Sequence, residues 1–338
     1  MKKSVRTIAI LLSLAFSLLL QGCLFKKDPE GTKWSDGVMM RIGNQQIDYR
    51  EGLVYLDATR RDYERYYGTD IWTYVCGADG STLGDVVKKQ VLDEVIYVKI
   101  VCAQAETLHV SLTGDELAAV DERTDSYMQL IKGSDILKKG VNRDIVRKIY
   151  ADNFLARKVF EQATLNIDTN ISNEEAGQHH LCSIAVRNYK IGASGERVDY
   201  SADEKAELRT RMESLKTTAA GEKDFRTFAQ GVTEDSSKLD IYAGPGDLDP
   251  AIESQVLALQ DGEISNVLET ADWFYVFYCV AAFDVDKTLE KKEEIIAARQ
   301  EEAFETFYAK WLAETEVEIN EPVWEKMNFT ENVQNETK

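Results

Sequence analysis

The chain is short of positive charge. Among its 338 residues, 40 Lys and Arg stand against 59 Asp and Glu, a formal charge of −19. Such a balance argues against nucleic acid as a partner, because phosphate binding needs a basic footprint. Long apolar runs are also scarce. The one long uncharged stretch, Ile8–Leu20, lies near the N-terminus, so the chain has at most one membrane anchor. Cysteine is sparse: five residues with no Cys-x-x-Cys spacing give neither a disulfide framework nor a zinc-site pattern. Cys76, Cys102, Cys182 and Cys279 read as buried thiols. What the chain does have is 44% hydrophobic and 9% aromatic residues, enough to pack cores and to exclude wholesale disorder. Its length suggests about two domains.

Lys2, Lys3 and Arg6 form a positive leader ahead of the Ile8–Leu20 run, which is too short for a comfortable membrane-spanning helix but suits a secretory signal. The run ends in Leu20-Gln21-Gly22-Cys23, which resembles a bacterial lipobox. The resemblance implies that residues 1–22 are a lipoprotein signal peptide and that Cys23 becomes the lipidated first residue. Cleavage there would leave 37 basic against 59 acidic side chains. More than one acyl chain would hold the protein firmly at the extracytoplasmic face of a cell membrane. Residues 23–37, polar and carrying Pro29 and Gly31, read as a flexible stalk.

The mature chain changes period twice. Residues 38–171 open with a short strand–turn–strand and continue in helical spacing over about 49–67, 83–107 and 142–162. Between the last two, Thr113-Gly114-Asp115-Glu116 is a T-x-x-E capping box. From 172 to 285 strands and helices mix: a strand over 180–186, a charged loop over 187–201, helices over 203–218, 224–229 and 250–259, and an aromatic strand over 273–281. Residues 286–328 turn helical again and are expected to pack on the first helical region, and 329–338 form a polar tail. The expected fold class is α+β, a helical domain built from both ends of the chain with an inserted α+β domain.

Two words in the insert carry a resemblance. Asp224-Phe225-Arg226-Thr227-Phe228-Ala229 with Thr233-Glu234-Asp235-Ser236-Ser237, and Leu257-Ala258-Leu259-Gln260-Asp261-Gly262-Glu263-Ile264-Ser265, are similar to words of the parvulin-type (PpiC) peptidyl-prolyl isomerase domain. Together with the lipobox, the helical flanks and the opening Arg41-Ile42-Gly43-Asn44-Gln45-Gln46-Ile47, the whole chain resembles a PrsA/SurA-type foldase. The family site is a histidine pair with an Asp or Cys beside an apolar proline pocket. Carried over residue by residue, the first histidine falls on Ser183. The second falls on Tyr275, or on Phe274 if the register slips by one. Asp235 keeps the acidic position, Thr270 keeps the Thr of the last loop, and Leu248 and Ile252 take the pocket positions. A shifted alignment would bring His179 or His180 to the first place.

Prolyl isomerisation breaks no covalent bond and lowers a rotational barrier of about 18–20 kcal/mol. It needs an apolar grip on the ring and polar groups for the twisted amide, with no metal and no cofactor. The resemblance therefore implies a membrane-anchored isomerase acting on X-Pro bonds of unfolded exported proteins, with both histidines replaced. Two other readings stand beside it: a non-catalytic holdase chaperone that binds unfolded or proline-containing peptides, and a solute-binding lipoprotein, which would show two lobes of repeated βα units.

Overall fold

The computed structural model describes residues 34–329. The signal peptide, Cys23, most of the stalk and the tail beyond Phe329 lie outside the described residues. The chain divides into two compact units: one takes in the described residues up to Ile167 and from Glu301, the other is Asp168–Gln300.

The first unit runs β1 (Val38–Ile42), β2 (Gln45–Asp48), α1 (Tyr49–Tyr67), α2 (Leu83–Ala103), α3 (Gly114–Leu130), α4 (Asp135–Lys138) and α5 (Arg143–Ala163). The second continues with α6 (Asn173–Ala176), β3 (His179–Arg187), β4 (Tyr189–Ile191), β5 (Arg197–Asp199), α7 (Ala202–Gly221) and α8 (Phe225–Val232). Then come β6 (Asp240–Ala243), α9 (Glu253–Val256), β7 (Leu268–Glu269) and β8 (Trp273–Ala281). Helix α10 (Val285–Glu314) crosses the boundary, and β9 (Val317–Ile319) and α11 (Glu321–Trp324) complete the first unit.

Helix starts follow side-chain chemistry. Asp48 caps α1, and reciprocal capping boxes pair Thr82 with Asp85, Thr113 with Glu116 and Ser201 with Glu204. The apolar side chains of α2 are spread over most of its circumference, and Val87, Val91, Val95, Ile96, Val98, Ile100 and Val101 are all buried. It is the core helix of its unit. Phe304 and Tyr308 of α10 pack against Tyr97, and Phe304 also meets Phe160 of α5, at ring separations of 4.8–6.2 Å. Strand β9, too short for its period to stand out in the sequence, pairs antiparallel with β1 and makes a sheet of order β2-β1-β9.

The second unit is built on an antiparallel sheet of order β6-β3-β8-β7. Alternation along its two central strands separates two cores. Cys182, Ile184, Val186, Phe274 and Val276 meet Leu208 and Met212 of α7 and Phe225 and Ala229 of α8. Leu181, Phe277 and Cys279 meet Ala243, Ile252, Val256 and Leu259 on the other face.

Three expectations need correction. The charged stretch 187–201 is not a plain loop; β4 and β5 pair as a hairpin. The helix expected over 250–259 is a single turn, Glu253–Val256: Ile252 at φ −121° stands outside it as the N-cap, and Leu257 caps its other end. Nor are all four thiols buried: Cys182 and Cys279 are, but Cys102 is half-buried and Cys76 exposed, and none is bonded to another. Every strand pairing named here is antiparallel, which is not the pattern of repeated βα lobes.

Candidate functional site

The second unit holds a cleft of about 390 Å³. Its floor comes from β8. Trp273, Tyr275 and Phe277 share one side of the strand, with Tyr275 stacked on Phe277 at 5.1 Å and tilted against Trp273 at 6.4 Å. Ile241, Leu248 and Ile252 supply apolar walls, and Thr270 closes one end. Opposite Tyr275 in the register stands the fully buried Ala185.

The wall is held by a loop with little freedom. Gly244 packs so closely that a Cβ there would lie 2.3 Å from the Gly177 carbonyl oxygen. Gly246 takes φ +84°, the left-handed region that favours glycine. Asp247 accepts from the Gly244 amide (2.9 Å), the Gln178 amide group (3.2 Å) and the Lys291 ammonium (3.1 Å). Glu253 accepts from the amides of Gly246 and Leu248. At the far end, Thr270 is spent on the β7–β8 turn: its hydroxyl oxygen accepts from the Trp273 amide at 3.2 Å. It positions the first aromatic of the floor.

The acidic residue arrives on a segment laced to the edge of β3. The Glu234 amide donates to the Ala185 carbonyl, the Thr233 hydroxyl to the Ser183 carbonyl and the Ser183 amide to the Leu239 carbonyl, each at 2.9 Å. Asp235 lies in this segment and accepts from the Ser237 amide and hydroxyl at 3.0 and 2.7 Å. Those bonds hold its carboxyl below the usual range. Burial pushes the Tyr275 phenol up to about 12, and the carboxylates of Asp235, Asp249 and Asp272 add in the same direction. Tyr275, like any unperturbed phenol, is a protonated hydroxyl at neutral pH. It has no partner among the described residues and is free to donate.

The structure thus sorts the residues singled out in the sequence. Tyr275, Leu248, Ile252 and Thr270 line one cleft, and Asp235 is close enough for its charge to act on Tyr275. Ser183 does not belong with them. It is fully buried in β3 and its hydroxyl donates to the Lys238 carbonyl at 2.6 Å, so nothing of it is offered to a ligand. Phe274 is also corrected: its side chain points to the opposite core, fully buried, with the Arg209 guanidinium 5.2 Å over its ring. His180 sits near the start of the inner strand β3, 2.6 Å from the Asp240 carboxylate and stacked on Tyr242, while His179 is half-buried and its pKa lowered by that burial. Neither lines the cleft.

The motif comparison did not pick out Trp273, Phe277, Ile241 or Lys238. The signal for the first two was present: period-2 alternation through Tyr275 assigns Trp273 and Phe277 to its face. Lys238, whose ammonium lies 4.9 Å from the Trp273 ring centre, had no such signal, because its place depends on the lacing of residues 233–239. Among the described residues, no group of three or more His, Cys, Asp or Glu is placed to hold a metal ion.

A helical unit built from both ends of the chain and an inserted α+β unit with an aromatic cleft define a mixed helix-and-sheet protein. The chain is similar to the foldase protein PrsA of Clostridium botulinum, strain 657 / Type Ba4, at 20% identity over 349 residues covering 95% of this chain and 99% of that protein. The same protein from strain Loch Maree / Type A3 is 21% identical over 254 residues, 69% of this chain and 73% of the relative. Among solved structures, the foldase PrsA of Lactococcus lactis shares 13% identity at a TM-score of 0.36, covering 85% of this chain and 96% of that one. No protein-family model matches the chain. The chain is a relative of the PrsA-type foldases.

Proposed function

We propose that this protein is an extracytoplasmic foldase, tethered through a lipid on Cys23, that binds X-Pro segments of unfolded exported proteins in the cleft of its second unit and isomerises them. The observation that carries the reading is the aromatic floor Trp273–Tyr275–Phe277 beneath the Leu248 and Ile252 walls, with one uncommitted hydroxyl in it. An apolar aromatic trough accepts a proline ring without asking it to give up hydrogen bonds. Once the ring is held, the Tyr275 hydroxyl donates to the prolyl nitrogen of the twisting amide, whose lone pair is set free as resonance is lost at the top of the barrier. Asp235 contributes by holding the 235–237 turn of the segment that lies along β3. No cofactor or metal enters this chemistry.

The absence of histidine from the cleft and the commitment of Ser183 to a backbone carbonyl favour a second reading, in which the cleft binds proline segments and does not turn them over. A protease-free prolyl isomerisation assay on the chain from residue 24 separates the two. The expected result is acceleration above background that falls about fivefold to tenfold in Tyr275→Phe, the worth of one hydrogen bond, and falls less in Asp235→Ala. No acceleration from a folded chain that still binds a proline peptide would leave the holdase.

A further inference from the structure

The cleft of the second unit carries a charge pattern that a grip on a proline ring does not use. Four charged side chains line it: Lys238, Asp247, Asp249 and Asp272. Two of the three carboxylates are already matched. Asp247 faces the Lys291 ammonium at 3.1 Å, and Asp272 pairs with the Arg197 guanidinium. Lys238 stands 4.9 Å from the Trp273 ring centre, and its charge acts on the Asp235 carboxylate.

Asp249 is left over. One of its carboxylate oxygens accepts from the Ala251 amide at 2.9 Å, a local turn that fixes the side chain, and no cation pairs with it among the described residues. An exposed, unpaired carboxylate is ordinary on a chain of charge −19; what sets this one apart is its place. It follows Leu248 and precedes Ile252, the two apolar walls, on the loop that Asp247 and Glu253 tie down. The field over the floor has the same sign. Besides burial, the groups acting on the Tyr275 phenol are the carboxylates of Asp235, Asp249 and Asp272, with no cation among them. A cationic side chain is drawn into such a cleft and an anionic one is turned away.

We infer that the cleft selects proline segments with Lys or Arg beside the proline, and that Asp249 is the residue that sets this specificity, its free carboxylate oxygen receiving the ammonium or guanidinium. The inference rests on the reading of the cleft as a proline-binding site and holds whether or not the bound segment is isomerised.

The test uses the chain from residue 24 and three identically labelled peptides that differ only in a central Lys-Pro-Lys, Gln-Pro-Gln or Glu-Pro-Glu. Each is measured beside a counterpart with alanine in place of proline. Fluorescence anisotropy at low salt should show the lysine peptide binding about threefold to fivefold tighter than the glutamine peptide, the reach of an exposed ion pair, and the glutamate peptide weakest. In 1 M salt, where charges are screened within about 3 Å, that order should collapse. Asp249→Asn keeps an oxygen for the Ala251 amide and removes only the charge. It should bring the lysine peptide to within about twofold of the glutamine peptide, whose own binding stays nearly unchanged. Glu207→Gln, at an exposed position of α7 outside the cleft, removes the same net charge and should leave the preference intact. Equal binding of the three proline peptides, each tighter than its alanine counterpart, overturns the inference and leaves the proline cleft standing. Alanine counterparts that bind as tightly as the proline peptides overturn both. A lysine preference that survives 1 M salt or Asp249→Asn, or that falls equally in Glu207→Gln, also overturns the inference.

Discussion

The two units differ in what they bury. The buried charged side chains among the described residues are Glu51, Asp57 and Lys99, all in the helical unit, whereas the buried polar groups of the α+β unit are neutral, among them Gln178, Ser183, Asn188 and Ser265. Lys99 donates to Glu51 and Asp152, and Lys148 donates to Glu51. In the α+β unit, ionic groups stay at the surface and the rim of the cleft, where Arg197 pairs with Asp272 and Lys291 with Asp247. The contrast separates two ways of specifying a structure. Ion pairs inside the helical unit fix which helix faces meet, because any other register would strand a charge. A neutral two-faced sheet leaves its specificity to alternation and frees one face to be a binding floor.

The largest break in this comparison should come from Lys99→Met. It leaves Glu51 buried with Lys148 alone, and chemical denaturation should show a loss of about 3 kcal/mol or more. An unchanged midpoint would mean that the buried pairs are not what registers the helices.

Adjacent residues of β8 sharpen the contrast within the second unit. Phe274→Ala empties a fully buried site and should cost about 3–5 kcal/mol of stability. Trp273→Ala, one residue away on the cleft face, should cost about 1 kcal/mol or less and instead weaken proline-peptide binding. If both variants lost stability equally, the cleft face would be core, not floor.

Glu94 on α2 tests how well the helical unit tolerates a charge without a partner. Burial raises its carboxyl from an ordinary 4.5 to about 7. Between those values the unfolded chain releases the proton and the folded chain keeps it, so stability falls as pH rises through the window and is level above it. Glu94→Gln should remove that slope and raise stability at pH 8 by about 2 kcal/mol. Urea titrations at pH 5 and pH 8 measure both, and a variant that keeps the slope would trace it to another group.

The sequence carried most of this architecture and about half of the cleft. Capping boxes and helical spacing marked α1, α2, α3 and α5 because such signals are local. β9, β6 and β7 were missed: strands of two to four residues owe their existence to a partner across the sheet. For the cleft, aligned words placed Tyr275, Leu248, Ile252 and Thr270 along its lining, yet they put Ser183 beside a ligand it cannot touch. An alignment counts positions along the strand, and the strand's outer partner decides which of them stay open. Here residues 233–239 lie along β3 and take up the Ser183 hydroxyl and amide.

Ser183→Ala turns that difference into the smallest and most pointed prediction. The resemblance lays the two family histidines on Ser183 and Tyr275, but one hydroxyl is buried against the Lys238 carbonyl and the other lies in the cleft. If burial decides function, removing the Ser183 hydroxyl should cost about 1 kcal/mol of stability and leave the isomerisation rate per folded molecule unchanged. Tyr275→Phe should do the reverse, lowering the rate with no loss of stability. Measuring unfolding and turnover on the same preparations keeps the two effects apart. A Ser183→Ala variant that is fully stable yet inactive would mean that the strand edge opens during catalysis and that the aligned position, not the resting geometry, marks the working group.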